Sequence, residues 1–434
     1  MNPFRLIRHQ TPGRIIALGF LLVIFIGSGL LMLPCCVKSG VTLRYIDALY
    51  TSASAVCVTG LISVDAGDTF TPLGQFVLAA LIQTGGLGVT SMGAGIMIAM
   101  GQKVNLKGRT LIREALNVSS PKGMVRLVKS IFLLTVTFEL LGAIASYPSF
   151  VRDFPPKRAL GISLFHSVAA FNNSGFDILG GGRSLTPYQD DVMLNLVTCV
   201  LIFFGGIGFL AIREMIDTRL RWRKFSMHTK VVLSVSGALL VIGTLLLKMT
   251  EDISWLGAFF NSVSARTAGF ATYPLQRFSE AGLLVIILLM FIGASSGSTG
   301  GGIKTGTLFV LLSGIYSAAT NHTEKAFHCS VPPQAFKKAA VITLLAMALV
   351  VSGTYLFLVF EPELSLLDAL FEATSAFGTV GLSTGVTSTL GVPAKLLTIF
   401  IMYVGRLGPL TIASLWHFTH GERIRYPEGN IAIG

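Results

Sequence analysis

The chain has 434 residues, of which 52% are hydrophobic and only 12% are charged. Soluble domains usually carry about 25% charged residues, so this composition indicates a polytopic membrane protein and excludes a large soluble catalytic or nucleotide-binding domain. The net charge of +12 follows membrane topology, because lysine and arginine concentrate in alternate loops and the acidic residues in the loops between them. We therefore predict a multi-pass protein of the cell inner (plasma) membrane with both termini in the cytoplasm, contact with membrane lipid, and no nucleic-acid partner.

Eight long apolar runs divide the chain into four tandem units. The runs that begin the units are 15–33, 125–147, 231–249 and 339–360. The runs that end them are 73–100, 191–216, the interrupted run 280–315, and 392–418. The first run is too long for a signal-peptide core, so it is predicted to remain as a helix. The unit boundaries predicted in this way are 1–100, 101–218, 219–320 and 321–434.

A shorter segment lies between the two long runs of each unit, and the four segments align without gaps. They read YTSASAVCVTGL (50–61), FHSVAAFNNSGF (165–176), FFNSVSARTAGF (259–270) and FEATSAFGTVGL (371–382). About ten helical residues span about 15 Å, which is half of a hydrocarbon core about 30 Å thick. Non-helical backbone at that depth requires surrounding protein or a water-filled path. The sequence therefore predicts an all-α fold of eight spanning helices and four re-entrant half-helices that converge with pseudo-fourfold symmetry.

Each aligned glycine and the three residues before it are predicted to form part of an ion-binding filter. Backbone carbonyls can replace the water shell of a monovalent cation without burying a charge, and glycine permits the positive φ that turns successive carbonyls to one side. Side chains vary widely within the first aligned column, which favours backbone ligation over a side-chain metal site. The predicted filter residues are Cys57, Val58, Thr59, Gly60, Asn172, Asn173, Ser174, Gly175, Arg266, Thr267, Ala268, Gly269, Gly378, Thr379, Val380 and Gly381.

A second glycine signature follows the filter glycine. It reads GGLG at 85–88, GGIG at 205–208 and GRLG at 405–408, and Gly293 stands at the matching position of the third unit. Close packing of helices is an ordinary role of glycine in membranes. Packing would explain one or two such positions, but it does not explain four aligned strings that each lie between two spanning segments.

The interrupted run of the third unit contains the string FIGASSGSTGGGIKTGTLFV at 291–310. Its six glycines between positions 293 and 306 oppose helix formation by about 1 kcal/mol each relative to alanine. Serine and threonine hydroxyls can satisfy the backbone groups that are freed, so we predict a loop in the aqueous path below the filter. The candidate gate residues, with one arginine of the last run, are Gly293, Ser295, Ser296, Gly297, Ser298, Thr299, Gly300, Gly301, Gly302, Lys304 and Arg406.

The string TVG at 379–381 matches the core of potassium-channel filters and stands in the fourth of four aligned loops. On these motifs residues 12–434 resemble the Trk/Ktr/HKT superfamily of potassium transporters, most closely the membrane subunit of the Ktr type. The resemblance implies K+ uptake through the four-loop filter, an intramembrane gate at Gly293–Gly306, and carbonyl contacts from Arg406 that hold the gate. It also implies dependence on Na+, a homodimer, and a cytosolic RCK-type (KtrA-like) regulatory ring that alone binds nucleotide.

Four single residues carry separate expectations. Lys304 either hinders cations or marks the inner end of the gate, unless its side chain snorkels to the cytoplasmic surface. Arg266 is expected to point behind the filter and brace the loops. Glu139 either neutralises a buried arginine or is satisfied by packing, and His166 is expected to be a satisfied polar residue. Candidate docking surfaces for a partner are the basic inner loops and the C-terminal tail, at 101–130, 213–230 and 426–434.

Two alternative functions, a hydrolase and an alternating-access carrier, must be weighed against the same sequence. The string GASSG at 293–297 satisfies the G-x-S-x-G pattern of hydrolases, with Ser295 as nucleophile, but that pattern needs a strand before the serine and an apolar helix is predicted there. An alternating-access carrier that moves Na+, or couples K+ to Na+, would typically show inverted repeats. All four predicted units begin on the same side of the membrane, which favours a central channel-like path.

Overall fold

The computed structural model describes residues 11–100, 108, 110–112, 124–322, 325–332 and 334–414. The N-terminal ten residues, most of the candidate docking loop 101–130 and the whole candidate tail 426–434 lie outside the described residues. Regular structure in the described part is helical apart from one short hairpin, which pairs β1 (Lys325–Ala326) with β2 (Cys329–Ser330).

Each of the four predicted units contains a long helix, a shorter helix that ends at the filter residues, and a broken helix. The first unit has α1 (Pro12–Leu31), α2 (Tyr45–Cys57), α3 (Ala66–Thr69), α4 (Pro72–Leu87) and α5 (Val89–Ala99). The second has α6 (Met124–Phe150), α7 (Pro156–Phe171), α8 (Val192–Ile207) and α9 (Phe209–Asp217). The third has α10 (Met227–Thr250), α11 (Trp255–Ser264), α12 (Glu280–Phe291) and α13 (Thr305–Thr320). The fourth has α14 (Ala335–Phe360), α15 (Leu366–Gly378), α16 (Val392–Leu407) and α17 (Pro409–Ser414).

Four helices of the described chain, α1, α6, α10 and α14, are long and apolar enough to cross a membrane. Large apolar side chains cover their outer surfaces, as at Leu22 (61% exposed) and Ile144 (69% exposed). A helix that is apolar on its outer face as well as its inner face is typical of a membrane span. The predicted all-α, polytopic membrane class is confirmed.

The second long run is broken in every unit, whereas the sequence predicted an interruption only in the third. α4 and α5 meet at an angle of 101°, and α8 and α9 at 98°. The breaks fall at Gly88, Gly208 and Gly408, where φ is 81°, 93° and 89°. A right-handed helix cannot continue through a residue in this conformation. The prediction that these three runs are continuous helices is therefore wrong, and the last glycine of each signature marks the break.

The long helix of a unit packs closely against the short helix through a glycine and a serine. A methyl group added to Gly27, Gly142 or Gly243 would overlap the hydroxyl of a serine on the short helix. That serine donates to a carbonyl oxygen of the long helix in three units, namely Ser52 to Ile24 (2.7 Å), Ser167 to Glu139 (2.6 Å) and Ser262 to Leu240 (3.1 Å). Small residues and hydroxyl contacts of this kind associate helices in lipid, where apolar surface alone gives no driving force.

A buried ion pair joins the fourth unit to the first. Lys395 Nζ of α16 lies 2.6 Å from Asp47 Oδ1 in the first turn of α2, and the two side chains are only 1% and 5% exposed. Arg44 Nε contacts the other carboxylate oxygen at 2.8 Å. This pair is not predictable from a local sequence pattern, because its members lie 348 positions apart.

We predict that Lys395→Met destabilises the protein more than the double variant Lys395→Met/Asp47→Asn. The single change leaves Asp47 with the largely exposed Arg44 as its partner, and breaking a buried pair in this way costs about 3–5 kcal/mol, whereas replacing both members is often nearly neutral. The measurement is thermal unfolding of the detergent-solubilised protein.

Arg152→Met is the control for this comparison. The Arg152 side chain is 70% exposed in its 3.5 Å pair with Asp191, and exposed pairs contribute only about 0–1 kcal/mol. Equal melting temperatures for Lys395→Met and Arg152→Met would show that the buried pair does not stabilise the fold.

Candidate functional site: filter loops and gate loop

The four short helices end where the predicted filter residues begin, at Cys57, Phe171, Ser264 and Gly378. The carbonyl end of a helix carries the equivalent of about half a negative charge. Each filter loop therefore starts at the negative end of a helix. All of the predicted filter residues are buried except Gly381, which is partly exposed.

The second and fourth residues of every filter loop have positive φ. The angles at the second position are 57° (Val58), 58° (Asn173), 81° (Thr267) and 49° (Thr379). The angles at the glycines are 88° (Gly60), 67° (Gly175), 80° (Gly269) and 95° (Gly381). Residues other than glycine seldom adopt such angles, so the four loops share one unusual backbone conformation. Alternation between left-handed and ordinary residues allows successive carbonyls to turn toward the same side, which a carbonyl-lined filter requires.

The four filter glycines lie together, and each faces a carbonyl oxygen of the next loop. A methyl group at any of them would overlap that oxygen or its neighbouring atoms. The contacts pair Gly60 with Ser174, Gly175 with Ala268, Gly269 with Val380, and Gly381 with Thr59. The order of contacts runs through units one, two, three and four and back to one, so the loops form a closed ring.

The third loop departs from the others on its helix side. In the first unit the residue before the glycine, Thr59, donates its N–H to the carbonyl of Ser54, five positions earlier, at 2.8 Å, and the second and fourth units match this bond. In the third unit the equivalent residue, Ala268, donates to Ser264, four positions earlier, at 2.9 Å. The gapless alignment of the four segments therefore pairs equivalent residues at the filter end of the third unit. In the helix before the filter, it pairs residues that are one position out of register.

Arg266 lies where the register changes, and its side chain connects the third filter loop to α10 and to the start of the predicted gate. Its guanidinium donates to the carbonyl oxygens of Ser236 on α10 (3.3 Å) and of Gly293 at the start of the predicted gate (3.4 Å). The residue is only 8% exposed. The guanidinium thus lies between α10 and the gate.

All predicted gate residues from 293 to 304 lie in one loop between α12 and α13, which we call the gate loop (292–304). Ser295 donates its N–H to the carbonyl of Gly206 at 2.9 Å. Thr299 donates to the carbonyl of Gly205 from its N–H (3.3 Å) and from its hydroxyl (3.1 Å). The last carbonyls of a helix have no partner within that helix, so the end of α8 supplies the acceptors that hold the loop.

The break at Gly208 also fits the gate loop closely. Phe209 is the first residue of α9, and its freed N–H donates to the carbonyl of Gly297 at 3.0 Å. A Cβ on Gly208 would lie 2.7 Å from the carbonyl oxygen of Ser296. Two features therefore require glycine at position 208, namely the positive φ and the close approach of the gate loop.

Arg406 joins the gate loop to the first unit. Its guanidinium donates to the carbonyl oxygens of Thr299 in the loop and of Gly85 and Gly86 at the end of α4, with a distance of 3.2 Å to Gly86. These two carbonyls lie in the last turn of a broken helix, where the regular helical partners are missing, although Gly85 also accepts the N–H of Gly88 at 3.2 Å. A guanidinium offers five donors and no acceptor, so it suits a cluster made only of carbonyl oxygens.

Lys304 folds back onto the gate loop. Its Nζ donates to the carbonyl oxygens of Gly300 at 2.7 Å and Gly301 at 3.3 Å. The alternative in which the side chain extends to the cytoplasmic surface is therefore not found. The positive charge lies on the loop's own carbonyls, next to the first turn of α13.

The gate loop lies directly against two filter threonines. Gly301 donates its N–H to Thr379 Oγ1 at 2.9 Å. A methyl group on Gly301 would overlap the Thr379 side chain, and one on Gly300 would overlap that of Thr267. These threonines are the second residues of the fourth and third filter loops. A single layer of side chains therefore separates the filter backbone from the gate loop here.

The partner of Glu139 is an amide instead of an arginine. Asn172 Nδ2 donates to Glu139 Oε1 at 3.1 Å and to Gln83 Oε1 at 2.7 Å. No ion pair with Glu139 occurs among the described residues. His166 is satisfied as predicted, because its Nε2 lies 2.9 Å from the hydroxyl of Thr198. Gln83 was not among the predicted site residues, because no sequence motif distinguishes it from the other polar residues of its long apolar run.

Ser295 is not arranged as a hydrolase nucleophile. Its hydroxyl lies 2.9 Å from Thr305 Oγ1 and makes no contact with a histidine in the part of the chain that the structure describes. Helix α12 precedes the serine, where the nucleophile elbow needs a strand. The hydrolase interpretation therefore has no structural support.

The fold and the ring of loops define a multi-pass membrane transport protein. The chain belongs to the cation transport protein family, whose model, TrkH, matches residues 7–247 and 229–420. The resemblance to the Trk/Ktr superfamily is thereby confirmed.

Full-length relatives and a solved structure agree with this assignment. The chain is 37% identical to Ktr system potassium uptake protein B of Bacillus subtilis, over 98% of this chain and 97% of that protein. It is 35% identical to potassium/sodium uptake protein NtpJ of Enterococcus hirae, over 99% of each. The crystal structure of the potassium transporter TrkH from Vibrio parahaemolyticus matches with a TM-score of 0.75 at 18% identity, covering 94% of this chain and 86% of that chain. That likeness supports the fold.

We predict that Gly301→Ala raises the rate of cation uptake severalfold. The added methyl group would overlap the Thr379 side chain, so the gate loop must move away from the filter. The measurement is K+ uptake into cells that lack their own potassium uptake systems, corrected for the amount of protein in the membrane.

Gly237→Ala is the matched control, because a Cβ at this position of α10 meets nothing within 4 Å. The control should take up K+ at the wild-type rate. A rate for Gly301→Ala no higher than that of Gly237→Ala would mean that the loop does not obstruct the path.

Proposed function

We propose that this chain is the potassium-translocating subunit of a Ktr-type uptake system. The observation that carries the proposal is the closed ring of four loops, in which each glycine faces a carbonyl oxygen of the next loop. The names of two relatives, a Ktr system potassium uptake protein and a potassium/sodium uptake protein, support the choice of cation. In this proposal each of the four units contributes one loop, and the units are 1–100, 101–218, 219–320 and 321–434.

Potassium enters the ring from outside and exchanges water for backbone oxygen atoms. Carbonyl oxygens can replace the hydration shell without a fixed negative charge beside the path, and the carbonyl ends of the four short helices add partial negative charge. The membrane potential favours entry by about 2.3 kcal/mol per charge per 100 mV. The direction of uptake then follows from the potential.

The gate loop obstructs the path below the filter, and its movement admits the cation to the cytoplasm. The loop is held by the Arg406 guanidinium and by the carbonyls of Gly205 and Gly206. A neutral hydrogen bond contributes about 0.5–1.5 kcal/mol net and one to a charged group about 1.5–3 kcal/mol, so a partner that moves one helix and breaks several of these bonds together can release the loop. Lys304 adds a positive charge to the closed loop and so raises the barrier to cations.

The filter has approximate rather than true fourfold symmetry. Its four loops differ in sequence, and the third is one residue shorter on its helix side. Oxygen atoms at unequal distances discriminate less sharply between cations of different size than four identical loops would. We therefore propose a modest preference for K+ over Na+, and an influence of Na+ on uptake.

We propose that the complete system is a homodimer of this chain on a cytosolic RCK-type ring, and that nucleotide binds only the ring. The name "Ktr system" of the Bacillus relative supports the existence of a partner subunit. The basic segment 213–230, which runs from the end of α9 to the start of α10, offers a docking surface for the ring or for anionic lipid. Both termini lie on the same, cytoplasmic side in this arrangement.

An alternating-access carrier is less well supported than a gated pore. Inverted repeats are typical of such carriers, whereas the four units here share one order of long helix, short helix, filter loop and broken helix. A strict dependence of K+ flux on a co-transported ion would favour the carrier.

We predict that Gly269→Ser reduces the preference for K+ over Na+ about tenfold, which corresponds to about 1.4 kcal/mol. The φ of Gly269 is 80° and a Cβ there would overlap the carbonyl of Val380, so any side chain distorts the ring. The measurement is competition between K+ and Na+ for uptake in cells deficient in potassium transport.

Gly161→Ser is the control, since a Cβ at this position of α7 meets nothing within 4 Å. It should keep the wild-type preference. If Gly269→Ser kept that preference as well, the filter assignment would fail. If the wild-type chain with its partner gave no K+ uptake at all, the proposed function itself would fail.

A further inference from the structure

One carboxylate in a spanning helix has no role in the pathway described so far. Among the four long helices, only α6 contains an acidic residue, Glu139. An ionisable group at this depth is costly, and in membrane proteins it typically faces a cavity and marks an ion path. Glu139 therefore needs an explanation beyond packing.

Glu139 lies on the inward stripe of α6. Thr135 precedes it by about one turn and Gly142 follows it by about one turn, and both are buried. Glu139 itself is only partly buried. Its carboxylate lies at the seam between α6 of the second unit and α4 of the first unit, where Asn172 Nδ2 contacts both Glu139 and Gln83.

Glu139 is hydrogen-bonded by the side-chain amides of Gln83 and Asn172, and three oxygen atoms compete for the NH2 group of Asn172. Asn172 Nδ2 lies within hydrogen-bonding distance of Gln83 Oε1 (2.7 Å), Val168 O (2.9 Å) and Glu139 Oε1 (3.1 Å). An amide NH2 group has only two hydrogens, so the three acceptors cannot all be satisfied at once. The oxygen of the same amide, Asn172 Oδ1, has no hydrogen-bond partner among the described atoms although the residue is fully buried.

We propose that Glu139, Gln83 and Asn172 form a second binding site for a monovalent cation, at the seam of the first two units and beside the filter. The cation is coordinated by the carboxylate and the two amide oxygens, with the Asn172 amide turned so that its unpartnered oxygen joins the set. Oxygen ligands of this kind replace the hydration shell of K+ or Na+. This inference rests on the proposed function, because it places the transported class of ion at the site.

The charge of the cluster favours a monovalent ion over a divalent one. A single carboxylate balances a single positive charge, and the described residues contain no group of three His, Cys, Asp or Glu that could hold a metal. The cation would also neutralise Glu139, which no described basic side chain does. The exchange of one buried charge for a neutral pair lowers the cost of keeping the carboxylate at this depth.

Occupancy of this site acts directly on the filter. Asn172 is the first residue of the second filter loop, and its backbone continues into the residues with left-handed φ. An ion held by the Asn172 side chain therefore adjusts the inner end of that loop. The site binds a cation next to the ring and contributes to the apparent affinity of uptake.

The test is Glu139→Gln, which keeps the shape of the side chain and removes the charge. We expect the K+ concentration for half-maximal uptake to rise about tenfold, because a contact with a charged group is worth about that factor in an equilibrium constant. In purified protein we expect a smaller rise of melting temperature on addition of KCl or NaCl, measured against choline chloride. Separate titrations identify the occupant as the ion whose stabilising effect declines.

Glu363→Gln is the matched control, since Glu363 is an exposed acid and the change in charge is the same. Glu139→Asp, which keeps the charge, should partly restore the affinity. Gln83→Met removes one proposed ligand without a change of charge and serves if Glu139→Gln does not accumulate in the membrane. If Glu139→Gln, or Gln83→Met in its place, matched Glu363→Gln in both measurements while the wild type still took up K+, the site would be refuted and the proposed function would stand.

Discussion

Hydrogen bonding of backbone groups within the membrane is the constraint on which the rest of the structure depends. Lipid offers no partner for an irregular backbone, so protein must satisfy it. The gate loop meets this requirement with the carbonyls of Gly205 and Gly206, which have no helical partner because their helix breaks at Gly208. The guanidinium of Arg406 donates to the equivalent carbonyls of α4, those of Gly85 and Gly86. The broken helices and the loop thus supply hydrogen-bond partners for each other.

The same constraint places the filter and the gate in one continuous assembly. The guanidinium of Arg266 and the hydroxyl of Thr379 connect the filter loops to the gate loop directly. Movement of the gate loop therefore alters the surroundings of the third and fourth filter loops. In the proposed system, a partner that moved α13 would act on the gate loop and, through these contacts, on the filter loops.

Much of this arrangement was predictable from the sequence, for identifiable reasons. The four loops were found because aromatic residue, helix and glycine recur at one spacing, and the gate loop because its glycines oppose helix formation. The breaks at Gly88, Gly208 and Gly408 were not predicted because the sequence stays apolar on both sides of each break. A glycine at a helix break also cannot be distinguished, from sequence alone, from a glycine that allows close helix packing. The pair of Lys395 with Asp47 depends on tertiary proximity that no local pattern records. The one-residue displacement at Arg266 was hidden by an alignment anchored on the glycine.

The contact between the last unit and the first has a consequence for biosynthesis. Asp47 leaves the ribosome long before Lys395, and Thr59 long before Gly381, which completes the ring. Until then the first three loops form an open arc, which encloses no pathway across the bilayer. If the closed ring is the cation path, as proposed above, a nascent or prematurely terminated chain has no such path until the fourth loop has been synthesised.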